Sequence, residues 1–194
     1  MKREMRDLLI SWLTISLAFS FVLSKNFLSL FSFFEALPIA LIGVGTGFIL
    51  HELAHKYVAI RYGAHAEFRA WYFGLAFAII LPLITFGNFL FAAPGAVYIY
   101  GDVSRKQNGI ISLSGPLTNI VLGIIFLALA LVSGYGFFYS VFSSVAMINL
   151  FLAAFNLIPV FPLDGSKVLA WNAIVWAVFF VPLAFLFLFS RFFF

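Results

Sequence analysis

The sequence predicts an all-α polytopic membrane protein, with about five to six transmembrane helices and a membrane-embedded re-entrant or strand segment near residues 71–100. Three observations predict it. Of 194 residues, 64% are hydrophobic and 9% charged, whereas a soluble domain carries about 25% charged residues. So few charges cannot coat a water-soluble fold of this length, which makes the bilayer the main solvent. The apolar residues, 28 phenylalanines among them, are gathered into long runs separated by short breaks. The basic residues sit in those short breaks, where they report orientation.

The elements follow in order. Residues 8–23 form a first apolar run behind a basic N-terminus. At 1.5 Å per residue it makes a slightly short span. No small-residue cleavage site follows Val22, so it reads as a retained span rather than a signal peptide. Residues 24–35, rich in Phe and Ser, form a connector. The second run, 37–60, carries Gly43, Gly45 and Gly47 in its first half. Small residues allow close helix approach in lipid, which places this helix inside the bundle. Its second half holds His-Glu-Leu-Ala-His at 51–55, and Tyr62 and Gly63 end it.

Residues 71–100 are apolar but interrupted by Pro82, Gly87, Asn88, Pro94 and Gly95. They are too few for two helical crossings and too broken for one clean helix. Non-helical backbone survives at membrane depth only under a cover of protein or water. The reading that satisfies this is a partly helical re-entrant segment ending in a short strand over about 89–98; an ordinary span followed by a loop is the alternative. Three runs complete the chain, at 110–132, 137–157 and 168–189. Pro159 and Pro162 break the helix between the last two. With no repeat and no linker, residues 1–194 read as one domain.

Charge sets the orientation. Lys2, Arg3 and Arg6 precede the first run, Arg61 and Arg69 follow the second, Arg105 and Lys106 precede the third, and Lys167 sits at the proline-rich break. If 71–100 enters and leaves on one side, all of these share the cytoplasmic face, leaving Lys25 and Arg191 outside. The expectation is a multi-pass protein of a cell membrane, plasma or inner, with a cytoplasmic N-terminus. Cysteine is absent, which excludes disulfides and thiolate chemistry. The net charge of +4 is dispersed, so no nucleic-acid partner is expected.

On a helix, His51 and His55 lie one turn apart on one face, where their imidazoles can share a metal ion. Glu52 points about 100° away and can act as a base on a water held by the ion without ligating it. Zinc lowers the pKa of such a water to about 7. A polar cluster joining helices is the plainer explanation of these residues, but ionisable groups within a span are costly and functional by default.

A catalytic zinc needs a third protein ligand, and His65, Glu67, Asp102 and Asp164 are the candidates. The first three sit in polar loops beside arginines or lysines, where solvation and loop ion pairs account for them. Asp164 lies in the irregular break between two apolar runs, where an N-cap role with Lys167 as a partner competes with ligation. Two spans separate residue 105 from residue 160, so Asp164 meets the histidines only if residues 61 and 105 share a side. The charge distribution places them so.

These residues carry a resemblance. The 51–55 motif, the stretch 156–165 with Asn156, Pro159, Pro162, Leu163, Asp164 and Gly165, and the Gly115, Pro116 and Asn119 stretch together resemble the site-2 protease family of intramembrane metalloproteases. The resemblance covers about 37–175. It implies one zinc per chain held by His51, His55 and Asp164, with Glu52 as general base. It implies substrate contacts at Asn156, Gly95 and Asn119, a transmembrane protein as substrate, a catalytic centre toward the cytoplasmic side, and an embedded strand near 89–98 that pairs with unwound substrate. Many members read Asp-Gly-Gly-Arg where this chain has Asp164, Gly165, Ser166 and Lys167, and residues 71–85 run longer than the compact family pattern. No PDZ or CBS domain is expected within this length.

Other readings fit less well. A prenyl-protein type of membrane zinc protease needs a glutamate on a later helix, and none follows Glu67. A serine intramembrane protease needs a late histidine, whereas all three precede residue 66. An aspartyl type needs Gly-x-Gly-Asp, and Ile99 stands where the first glycine belongs. A small metal transporter and an inactive protease-like scaffold are the non-protease alternatives.

Overall fold

The computed structural model describes residues 2–24 and 26–189. Lys25 and Arg191, which the charge argument places outside, lie beyond the described residues. Helix α1 (Lys2–Leu23) buries Ser11, Ser16 and Ser20 along one side, together with Ile15 and Phe19. The Ser16 and Ser20 hydroxyls donate to the carbonyls of Trp12 and Ser16, each at 2.8 Å, which satisfies them within the helix. Trp12 donates its indole N–H to the Leu41 carbonyl at 3.0 Å and so ties α1 to the next helix.

Helix α2 (Leu30–Val44) begins where the Ser29 hydroxyl accepts the Ser32 N–H, so helix replaces much of the connector expected at 24–35. It runs through one π-helical turn, Gly45–Ile49, into α3 (Leu50–Arg61). The rod ends by a left-handed glycine cap. Gly63, at φ +81°, lets its own N–H bond the Ile60 carbonyl at 2.9 Å and the Ala64 N–H bond the Ala59 carbonyl at 3.1 Å.

Strand β1 (His65–Ala70) pairs antiparallel with β2 (Gly95–Tyr100), Ala70 opposite Gly95. The strand expected at about 89–98 is β2, which begins at residue 95, and β1 is its unexpected partner in an otherwise helical fold. In β1, Ala66 and Phe68 are buried, with the Phe68 ring 5.5 Å from that of Phe48, while His65, Glu67 and Arg69 alternate with them. Helix α4 (Tyr72–Ile84) follows β1 in the chain and precedes β2. Its tip reaches the first loop, where the Phe86 and Phe27 rings are 5.6 Å apart, near the far end of α1. The chain then returns in non-helical conformation to Pro94, whose carbonyl accepts the Trp71 N–H at 2.8 Å. A helix spans about 1.5 Å per residue and an extended chain about 3.3 Å, so roughly six extended residues undo the rise of the 13-residue α4. Leu90, Ala92 and Ala93 of the return are buried, as non-helical backbone at such depth demands. Residues 71 and 94 are therefore neighbours, and the excursion ends where it began.

Helix α5 (Arg105–Ser133) opens with a capping box between Ser104 and Gln107. It packs against α3, α6 (Phe137–Asn156) and α7 (Asp164–Trp171). The expected run 168–189 is two helices. Asn172 is extended, and its side chain accepts the Ile174 and Val175 N–H groups at 3.0 and 3.1 Å, which starts α8 (Ala173–Phe189). Trp176 fastens α8 to α6 through the Leu157 carbonyl at 2.8 Å.

Among the described residues, four helices are long and apolar enough to cross a membrane: Lys2–Leu23, Leu30–Arg61, Arg105–Ser133 and Phe137–Asn156. Two shorter apolar helices, Tyr72–Ile84 and Ala173–Leu188, accompany them. Large apolar side chains such as Leu131, Val132, Phe137 and Ile174 point outward, an arrangement stable in lipid and costly in water.

Candidate metal centre

α3 presents His51 and His55 from one face, their rings edge-on with centroids 4.6 Å apart. Asp164, the first residue of α7, meets them: its Oδ2 lies 3.3 Å from His51 Nε2 and 3.0 Å from His55 Nε2. All three residues are buried. The N-cap of α7 is Leu163, without a side-chain bond, so the capping alternative for Asp164 gives way to this contact. Lys167 approaches the other carboxylate oxygen at 3.4 Å. His51, His55 and Asp164 form the one candidate metal cluster among the described residues, with ligand atoms within 4.8 Å of one another. His65, Glu67 and Asp102 lie elsewhere: His65 stacks near Tyr100, Glu67 pairs with Arg69, and Asp102 is exposed.

The donor chemistry fits a cation. His55 Nδ1 faces the Ile111 carbonyl at 2.7 Å, and a carbonyl only accepts, so Nδ1 carries the proton. His51 Nδ1 faces Asn119 Oδ1. With both protons on Nδ1, two Nε2 lone pairs and a carboxylate oxygen converge on one point, a donor set that suits a cation. Gly115 leaves the room: a Cβ there would stand 2.5 Å from both Nε2 atoms. Two imidazoles, one carboxylate and an open side match a catalytic zinc site. Gly165 supplies the matching approach on α7, since a Cβ there would meet the Leu157 carbonyl at 2.0 Å.

Glu52 is buried beside the cluster, and its Oε2 has no hydrogen-bond partner. It shares a cavity of about 440 Å³ with the three candidate ligands, residues 92–99, Asn156, Phe161 and Lys167. Gly95 lines this cavity at the start of β2, where a Cβ would meet the Arg69 carbonyl at 2.3 Å. Asn156 lines it too, donating to the Leu152 carbonyl at 2.9 Å. Asn119 is a correction. Expected among substrate contacts, it is fully buried behind His51, and its amide is spent on His51, the Gly47 carbonyl and Asn149. The sequence reading missed Asn149 and β1. An asparagine in the interior of a membrane-length helix and the strict alternation of His65–Ala70 were the available signals.

Apolar helices enclosing a two-histidine, one-aspartate centre with an adjacent free glutamate define a membrane-embedded metallohydrolase architecture. The model of peptidase family M50 matches residues 39–143 and 133–185. The chain belongs to that family, the site-2 protease family of metalloproteases. A Methanocaldococcus jannaschii protein named as a candidate zinc metalloprotease is 47% identical over 186 residues, covering 94% of this chain and 91% of its own length. A second protein of that organism, named a zinc metalloprotease, is 30% identical over 126 residues, 62% of this chain and 30% of that protein. A candidate zinc metalloprotease of Bacillus subtilis is 29% identical over 154 residues, 69% of this chain and 68% of its own. No solved structure gives a match.

Proposed function

We propose that this chain is an intramembrane zinc metalloprotease that hydrolyses a peptide bond within or near a transmembrane segment of a membrane protein, as in regulated intramembrane proteolysis. The observation that carries the reading is one cavity holding His51, His55, Asp164 and the unpartnered Glu52 carboxylate beside strand β2. His51 Nε2, His55 Nε2 and Asp164 Oδ2 would hold one zinc. When bound, zinc supplies carbonyl polarisation and acidifies water. Glu52 takes the proton of the attacking water and passes it to the leaving amine nitrogen. Among the described residues β2 pairs with β1 alone, so its other edge offers backbone groups to an unwound substrate segment. Asn156 and Gly95, which line the same cavity, orient that segment. The N-terminus and this centre face the cytoplasm.

The test uses a single-span model substrate in detergent or vesicles. Glu52→Gln is expected to keep zinc and lose at least about 100-fold in cleavage. Asp164→Asn is expected to lose zinc and activity together. Full cleavage by both variants overturns the assignment, and gradient-dependent metal flux across vesicles would instead point to a transporter.

A further inference from the structure

His55 has its tautomer set by a backbone carbonyl directly. His51 does not, and what stands behind it is a chain of two buried amides. Asn149 on α6 is fully buried and donates Nδ2 to the Val145 carbonyl at 2.9 Å. That carbonyl can only accept, so Asn149 must turn its Oδ1 the other way, toward Asn119 Nδ2 at 3.2 Å. Asn119 Nδ2 also donates to the Gly47 carbonyl at 3.0 Å, within the π-helical turn. Two acceptors therefore hold the NH2 end of Asn119, and its Oδ1 must face His51 Nδ1. Gly47 makes the space for both amides: a Cβ there would come within 3.1 Å of Asn149 Oδ1 and 3.3 Å of Asn119 Nδ2.

We infer that Asn149 and Asn119 are positioning residues that carry the polarity of backbone carbonyls to His51, fixing its proton on Nδ1 and its Nε2 lone pair toward the metal. The inference rests on the zinc-site reading above. The Val145 and Gly47 carbonyls, which cannot donate, set each hydrogen-bond direction in the chain as far as His51, so a reversed amide places two oxygens against each other. Such a reversal frees His51 to protonate Nε2 and withdraw as a ligand. Groups that orient a metal-binding histidine from behind typically contribute 10- to 100-fold in metal affinity.

The experiment measures zinc affinity by chelator competition on the purified full chain, alongside thermal unfolding of the zinc-free protein. Asn149→Leu removes the acceptor for Asn119 and is expected to weaken zinc roughly 10-fold or more. Asn149→Asp keeps an acceptor oxygen toward Asn119 and is expected to stay within about threefold of wild type. Asn149→Ala carries the leucine variant's expectation should that protein fail to fold. Wild-type zinc affinity in the leucine or alanine variant, or equal loss in the aspartate variant, overturns the inference, and a lowered unfolding temperature with unchanged zinc affinity does the same. His51→Ala serves as the control. If it binds zinc as wild type does, the metal-site reading itself has failed, whereas its loss alongside an unaffected Asn149→Leu faults only the inference.

Discussion

At the scale of single residues, the centre depends as much on what is missing as on what ligates. Gly115 backs onto both Nε2 atoms, and Gly115→Ala inserts a methyl at 2.5 Å from each. The expected outcome is zinc affinity reduced by at least about 100-fold, read by chelator competition; a variant with wild-type zinc content would show that α5 yields there. His51, Glu52, His55 and Asp164 were legible in the sequence because ion-binding side chains stand out in apolar runs. The grouping of Asp164 with the histidines was legible through topology. Asn119 was legible as a motif residue but not in its role, because a buried amide facing a ligand and one facing a substrate look the same in one dimension. The Ile111 carbonyl that orients His55 is backbone, and no residue type announces it.

Among the elements, the joint between α1, α3 and β1 is electrostatic. Lys56 Nζ meets both Glu4 carboxylate oxygens, at 2.6 and 2.8 Å, and Glu4 Oε1 also accepts the Phe68 N–H at 3.2 Å. Glu4 is buried, while Lys56 keeps partial exposure. Glu4→Gln is expected to cost on the order of 1–3 kcal/mol, seen as a lowered unfolding temperature in detergent. Pairing it with Lys56→Met should recover part of that loss, because the lysine is then no longer left without its counter-charge. The far ends of the long helices were legible from apolar run length, but α1, α2 and α5 begin five to seven residues before their runs do, in polar or loop-like sequence. The early start of α2 at Leu30 was not legible, because Phe and Ser suit a loop and a lipid-facing helix alike, and only the Ser29 cap distinguishes them. β1 was passed over because His65, Glu67 and Arg69 look like solvated loop charges until their alternation with Ala66 and Phe68 is weighed.

For the whole molecule, the antiparallel pairing of β1 with β2 makes the 71–94 excursion a return trip and leaves the two spans after it to bring α7 back to α3. The absence of cysteine allows a direct check by single-cysteine labelling in sealed vesicles. Arg3→Cys and Asp102→Cys should react from one side, and Leu28→Cys and Tyr135→Cys, both highly exposed positions, from the other. Reaction of Asp102→Cys from the side of Tyr135→Cys would exclude the re-entrant path. Asp164 stands 109 positions along the chain from His55, and its neighbour Phe161 lies at the cavity wall. An ion shared by these two residues is then a tether as well as a reagent, because it closes a long loop and holds the lip of the cavity against α3. Linkage makes the tether work in both directions: whatever peptide the pinned lip favours must in turn tighten the grip on zinc by the same factor.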